Sequence, residues 1–345
     1  MSSRVEKILL AAAGGWDAPS ARYRLGPLAA TGRWDVSAMS AGSLPTRGRI
    51  EQILDRGDPS TVLVLQRVTP TTAEMQQLRH SFGAVVFDID DAIYAVPPAH
   101  GVTPAEAVKR VARLVSRGST RASRRRRPLI ETLRQVDVAV VGNEILGGFV
   151  ARHAPRVIEI PTTVQPIAEP PSARPSPPVI VWMGLPDNLP HLEIVREPLE
   201  RLRKEINFKL RIVSSSPWER SPVEYEFVEW SEHASRAALL TSTLGLAPLS
   251  DDPWTRGKCA LRSIQYGGHA LPTVASPVGM THRVVLDGVT GYLAATPDDW
   301  VRHLRALLGS TDLVSRLGTA ALSHVTSSYS NKLAVARWFE MIESL

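Results

Sequence analysis

A chain of 345 residues exceeds a usual single core of about 100 to 200 residues, and its 43% apolar content is ample for globular folding, so two domains are expected. Forty Lys plus Arg against 34 Asp plus Glu give a net charge of +6, which favours anionic partners without naming one. The lone Cys259 excludes an intrachain disulfide framework and fits a reducing cytoplasm. No basic leader with an apolar core precedes the first strand and no apolar run nears the roughly 20 residues that span a bilayer, so the expected location is cytoplasmic, at most peripheral to the inner face of a membrane.

Short apolar runs recur along the chain with helical segments between them: Ile8 to Ala13, Val62 to Gln66, Ala84 to Asp88, Val136 to Val141 and Val157 to Ile160. Continuous apolar strands alternating with helices indicate a parallel sheet covered on both faces. Proline then clusters in Pro166 to Pro178, where fixed φ angles and missing donors forbid helix and central strand alike. The strand pattern restarts with Val179 to Met183, Leu210 to Ser214, Tyr225 to Val228, Leu244 to Leu249, Thr273 to Ala275 and Tyr292 to Ala295. The expectation is an α/β protein of two Rossmann-like domains: a first domain over 1–166, a Pro-rich linker over 167–178, and a second domain over 179–329. The closing segment 330–345 is helical, with apolar positions at Leu333, Val335, Trp338, Phe339 and Ile342. Ligands of parallel sheets bind beyond the carboxyl ends of strands, so the active site is expected in the cleft between the domains.

Several positions carry chemistry under one reading and ordinary structure under another. Gly14 and Gly15 follow the first strand, where glycine lets backbone approach a phosphate or sugar; an ordinary strand-exit turn is the alternative. Asp88, Asp90 and Asp91 end an apolar strand. They read as turn caps, as a metal-binding D-x-D, or as the nucleophile motif of a haloacid-dehalogenase-like phosphatase, although Ala92 stands where that phosphatase wants threonine. The Arg-rich stretch 109–127 is a solvated loop or a patch for anionic lipid or nucleic acid, and nucleic acid is not the expected partner. Trp230 packs or stacks on a base. The histidines show no metal-ligand spacing, so no metal site is expected.

The stretch from Pro248 to Leu293 is the most informative. Ser250 to Pro253 break the strand Leu244 to Leu249, and periodicity through Leu261, Ile264 and Gln265 puts a helix start near Arg256. Free N–H groups, the helix dipole and the cations Arg256 and Lys258 would then point at an anion, for which diphosphate is the natural occupant; elsewhere two such cations are solvated surface. A second strand over Leu271 to Pro277 and a second turn at Val278-Gly279 offer an adjacent loop, a spacing suited to a nucleotide sugar.

These residues resemble the carboxy-terminal half of the GT-B retaining glycosyltransferases of family four, the glycosyl transferases group 1. A GK-containing turn, a Q-Y strand entry, an S-x-V-G turn and a D-G-x-x-G-x-L hairpin follow in order. The likeness extends through Ser20 to Arg24, Leu65 to Arg67, Phe87 to Asp91, Asp137 to Asn143 and Ile160 to Thr162, and so covers essentially the whole chain.

The resemblance implies sugar transfer from a nucleoside-diphosphate-sugar donor to a hydroxyl acceptor, with retention, without a metal, and with no cofactor beyond that substrate. Lys258 falls at the pyrophosphate. Arg256 stands in for an arginine that many members carry and that Met183-Gly184-Leu185-Pro186 lacks. Asp90 falls where many members have a sugar-contacting histidine, and Asp91 joins it in the catalytic set. Gly14, Gly15, Gly184, Trp230, Asp252, Gly257, Cys259 and Gln265 fall on the donor side, and Arg22, Arg67 and Asp88 on the acceptor side. The Glu-x7-Glu motif of the family reads Gly257 and Gln265 here, leaving Asp251 and Asp252 as the nearest carboxylates and Gln265 to bond ribose hydroxyls. Two other classes stand against this reading: a magnesium-dependent phosphatase using Asp88 and Asp90, and an anionic-polymer-binding protein with a degenerate GT-B fold.

Overall fold

The computed structural model describes residues 5–12, 14–40, 47–95, 126–171 and 173–345. They divide into two compact units. The first holds Met1–Thr163, Arg256–Cys259 and Asn331–Leu345, and the second holds Val164–Thr255 and Ala260–Ser330.

In the first unit β1 (Lys7–Ala12), β2 (Asp35–Ser40), β3 (Thr61–Gln66), β4 (Ala84–Ile89), β5 (Val138–Val141) and β6 (Val157–Glu159) form one sheet in the order β2-β1-β3-β4-β5-β6, with parallel pairings. Strand β3 reads TVLVLQ and is buried throughout, because β-branched residues suit a pleated surface covered on both faces. The helix Thr72–Ser81 opens with a reciprocal capping box between Thr71 and Glu74, which fixes where the crossover from β3 to β4 starts. The helix Asn331–Glu343 belongs here too. Its Ala334, Trp338, Met341 and Ile342 are buried with Ile8, Leu10, Val62 and Val86 in one core, and Phe339 meets Trp34 edge-on at 4.8 Å.

In the second unit β7 (Val179–Met183), β8 (Lys209–Ser214), β9 (Tyr225–Glu229), β10 (Leu244–Ala247), β11 (Thr273–Ala275) and β12 (Gly291–Leu293) form a second sheet, ordered β12-β11-β10-β7-β8-β9 and again parallel. Its main core is built around the fully buried Trp182 and Trp300. Residues 164–178 pack with this unit: Ile167 N–H donates to the Gly268 carbonyl, and Arg174 donates to the carbonyls of Ser242 and Ala270.

Positions 109–125 of the Arg-rich stretch lie outside the described residues. Arg126 donates to the Tyr94 carbonyl and Arg127 pairs with Glu131. Among the described residues no helix is long and apolar enough to cross a membrane.

Candidate functional site

Strand β1 of the first sheet has β2 on one side and β3 on the other, so the loops leaving β1 and β3 diverge. Such a switch point, beyond the carboxyl ends of parallel strands, is where ligands of open sheets sit. The loop after β1 carries Gly14 and Gly15, and Gly15 is buried at φ +56°, a conformation that glycine adopts without strain. Arg67 follows β3 at φ +57°, a left-handed backbone that costs an arginine of order 1 kcal/mol and survives only where its surroundings hold it.

Two kinds of carboxylate leave β4. Asp88 is fully buried. Both its oxygens are engaged by the Arg24 guanidinium, with Nε at 2.8 and 2.7 Å, and Gln66 Nε2 adds a third donor at 2.9 Å. Arg24 is just as sealed and spends Nη1 on the Ile160 carbonyl and Thr162 Oγ1. Asp88, expected on the acceptor side, is a partner in a buried ion pair with Arg24. Breaking such a pair from one side costs about 3–5 kcal/mol, because it strands a charge.

Asp90 and Asp91 stand differently. Arg67 reaches between them, with Nη1 3.1 Å from Asp91 Oδ2 and Nε 3.6 Å from Asp90 Oδ1, and Lys258 Nζ lies 3.9 Å from Asp91 Oδ1. Burial and the neighbouring Asp90 push the Asp91 carboxyl above its ordinary range, against the pull of Lys258 and Arg67. Asp90 Oδ1 is buried and takes no hydrogen bond. Two carboxylates and two cations thus share one sheet edge, with one buried acceptor oxygen left over.

Lys258 arrives on a short strip. Arg256–Cys259 packs with the first unit, although the chain on either side of it builds the second. Gly257 makes this possible: a β-carbon there would stand 2.5 Å from that of Ala92. The Gly257 carbonyl accepts from Asn143 Nδ2 at 3.0 Å, the same nitrogen donates to Cys259 Sγ at 3.3 Å, and that thiol donates to the Asp90 carbonyl at 3.1 Å. Burial pushes the Cys259 thiol up to about 12, so it stays neutral and serves packing and hydrogen bonding. Asn143, which sequence reasoning did not select, also caps the helix Glu144–Val150 through Leu146 N–H. Its signals were its place at the end of the Asp137 to Asn143 stretch and an Asn between a strand and an acidic first helical turn.

The helix expected to begin near Arg256 begins at Leu261. Asp252 Oδ1 accepts from the N–H groups of Trp254 and Thr255, and Thr255 Oγ1 donates to the Ser250 carbonyl, which winds a tight turn over Thr255–Gly257. Ala260 at φ +49° then separates that turn from the helix. The exposed Arg256 and half-buried Lys258 consequently precede the helix and lie outside its first turn. Asp252, expected at the donor, has both oxygens committed locally, since Ser250 Oγ donates to Oδ2 at 3.2 Å.

The second sheet has its own switch point, between β7 and β10. Gly184 follows β7, and Trp230, 38% exposed, follows β9. Gln265 is half-buried on the helix Leu261–Gly268. Arg262, in the first turn of that helix, was not selected from sequence. Its Nε donates to the Met183 carbonyl at 2.5 Å and its guanidinium lies 4.7 Å from the Trp182 ring centre. Arg22, half-buried, belongs to the first unit. Among the described residues no group of three or more His, Cys, Asp or Glu side chains is arranged to hold a metal.

No protein-family model matches the sequence, and no curated protein sequence does. Solved structures do. Sucrose-phosphate synthase from Thermosynechococcus elongatus superposes with a TM-score of 0.68 at 14% identity, covering 98% of each chain. HepE from Anabaena, solved in complex with UDP-glucose, gives 0.67 at 11% identity over 98% of this chain and 100% of its own. A glycosyltransferase from Rickettsia africae gives 0.64 at 10% identity over 98% of each. TarM of S. aureus gives 0.60 at 13% identity over 84% of this chain, which spans only 57% of the TarM chain. At such identities the likeness speaks for architecture, and the architecture is GT-B: two Rossmann-like α/β domains, each on a six-stranded parallel sheet.

Proposed function

We propose that the protein is a glycosyltransferase that moves a sugar from a nucleoside-diphosphate donor to a hydroxyl, with retention at the anomeric carbon and without a metal. The observation that carries this reading is the Lys258, Arg67, Asp90 and Asp91 group at the carboxyl edge of the first sheet, in a fold whose solved examples include a complex with UDP-glucose. In the reaction the bond from the anomeric carbon to the diphosphate oxygen breaks and the bond to the acceptor oxygen forms. The acceptor proton passes to the departing phosphate oxygen, so no protein base is required.

Lys258 and Arg256 compensate charge that grows on the leaving group, and preorganised cations do this without reorganisation at the moment of reaction. Asp90 Oδ1, a buried acceptor with no hydrogen bond, suits a donor-sugar hydroxyl. Two cations among the carboxylates supply the positive charge that a divalent ion supplies elsewhere. A phosphatase nucleophile at Asp88 is disfavoured by its burial against Arg24.

The test is transfer from UDP-, ADP- and GDP-sugars, with and without EDTA. Activity survives chelation, and Lys258→Ala lowers turnover at saturating donor by about 100-fold or more, in line with the loss of one oxyanion-stabilising group. Turnover unchanged in Lys258→Ala, or abolished by EDTA and restored by magnesium, overturns the assignment.

A further inference from the structure

Among the described residues, Arg262 of the second unit is a cation without a carboxylate partner. Arg262 is braced by the Met183 carbonyl through Nε and by the face of Trp182, neither of which carries a formal charge. Burial works against its charge. Arg24, by contrast, is matched to Asp88, and Arg67 to Asp90 and Asp91. Removing a guanidinium from water without a counter-charge is costly, and buried charges are ordinarily paired.

Its location gives that charge a use. Met183 ends β7, and β7 and β10 flank the point where strand order reverses, so the guanidinium stands at the switch point of the second sheet. Gly184 leaves room for it and for the ring it stacks on: a β-carbon at that position would lie 2.7 Å from Nη2 and 2.9 Å from two ring carbons of Trp182. With Nε occupied by a carbonyl, the Nη groups offer the planar pair of donors that suits two phosphate oxygens.

We propose that Arg262 is a phosphate-binding residue, gripping the diphosphate of the nucleotide at the carboxyl edge of β7. This rests on the nucleotide-sugar reading above and adds to it a residue that the reading does not use. Gly184 is its counterpart, kept free of a side chain so that the guanidinium can lie against the strand end. A bracing arginine would serve nucleoside and nucleotide equally; a phosphate ligand tells them apart.

Calorimetry on the full chain decides the matter, with UDP, ADP and GDP as titrants beside uridine, adenosine and guanosine. For the diphosphate that binds the native chain best, Arg262→Gln lowers affinity by about 10- to 100-fold, the loss of a charge-assisted contact, while affinity for the matching nucleoside stays within about twofold. Arg262→Lys falls between the two. Gly184→Ala keeps the charge but displaces it, and it too weakens the diphosphate selectively, so it decides the question if Arg262→Gln fails to fold. Diphosphate affinity retained in a folded Arg262→Gln, or equal losses for nucleoside and diphosphate, overturns the inference. If no diphosphate binds the native chain, the nucleotide reading falls first.

Discussion

Asp88 and Asp91 leave the same strand three residues apart and meet opposite conditions. Asp88 is sealed at 0% exposure with both oxygens bonded, whereas the Asp91 side chain keeps 23% of its surface and shares Arg67 with Asp90. The difference lies in the number of donors committed to each carboxylate. A carboxylate surrounded by fixed donors holds structure together. Two carboxylates that divide two cations between them retain unmatched acceptor capacity, which a substrate can fill.

The largest effect that this contrast predicts is on stability. Arg24→Met leaves Asp88 buried without its partner and lowers unfolding free energy by about 3–5 kcal/mol, read from the urea midpoint. A change below about 1 kcal/mol erases the distinction between the sealed and the open carboxylates. A smaller effect, on activity, follows at Asp90. Asp90→Asn reduces sugar transfer by about 10- to 100-fold while nucleoside-diphosphate affinity stays within about threefold. Intact transfer with a lower melting temperature would make Asp90 a turn cap and no more.

The smallest effect concerns pH. Burial and Asp90 raise the Asp91 carboxyl above its ordinary value of 3.8, so the folded chain holds this proton more tightly than the unfolded chain does. Its contribution to stability is therefore fully present below the ordinary value and is lost as pH rises through the folded-state value. Asp91→Asn is accordingly more stable than the native chain at neutral pH, and the gain disappears by about pH 4, near the ordinary carboxylate range. Urea midpoints at the two pH values check this, and a gap of constant size at both contradicts it.

Much of the fold was legible because strands buried on both faces write themselves as unbroken apolar runs. Val179–Met183 and Thr273–Ala275 begin and end where the runs do. Strand β2, DVSAMS, was not legible: it lies at the sheet edge, half-exposed, and its sequence alternates without a run. The helix start near Arg256 was misread because periodicity is blind to the side-chain turn of Asp252 and Thr255 and to a left-handed Ala260. Within the site, Asp88, Asp90 and Arg67 could be found as residues at strand ends, and the pairing of Gln66 with Asp88 brings those ends together. That Lys258 would stand beside Asp91, and that Asp88 would be claimed by Arg24, depends on contacts between distant segments that local pattern does not encode. Arg262 was not selected, because the carbonyl and the ring that hold it come from a distant strand.

The path of the chain also sets the order in which the protein can be made. Trp338, Met341 and Ile342 share a core with Ile8 and Val62, and the strip Arg256–Cys259 supplies the partner of Asn143. During synthesis the first unit must wait, its core open, until the helix Asn331–Glu343 has left the ribosome. The second unit has by then received all of its own residues, since they end at Ser330. The half translated first is therefore the half completed last, and its unfilled hydrophobic face is the surface that a nascent-chain chaperone would meet.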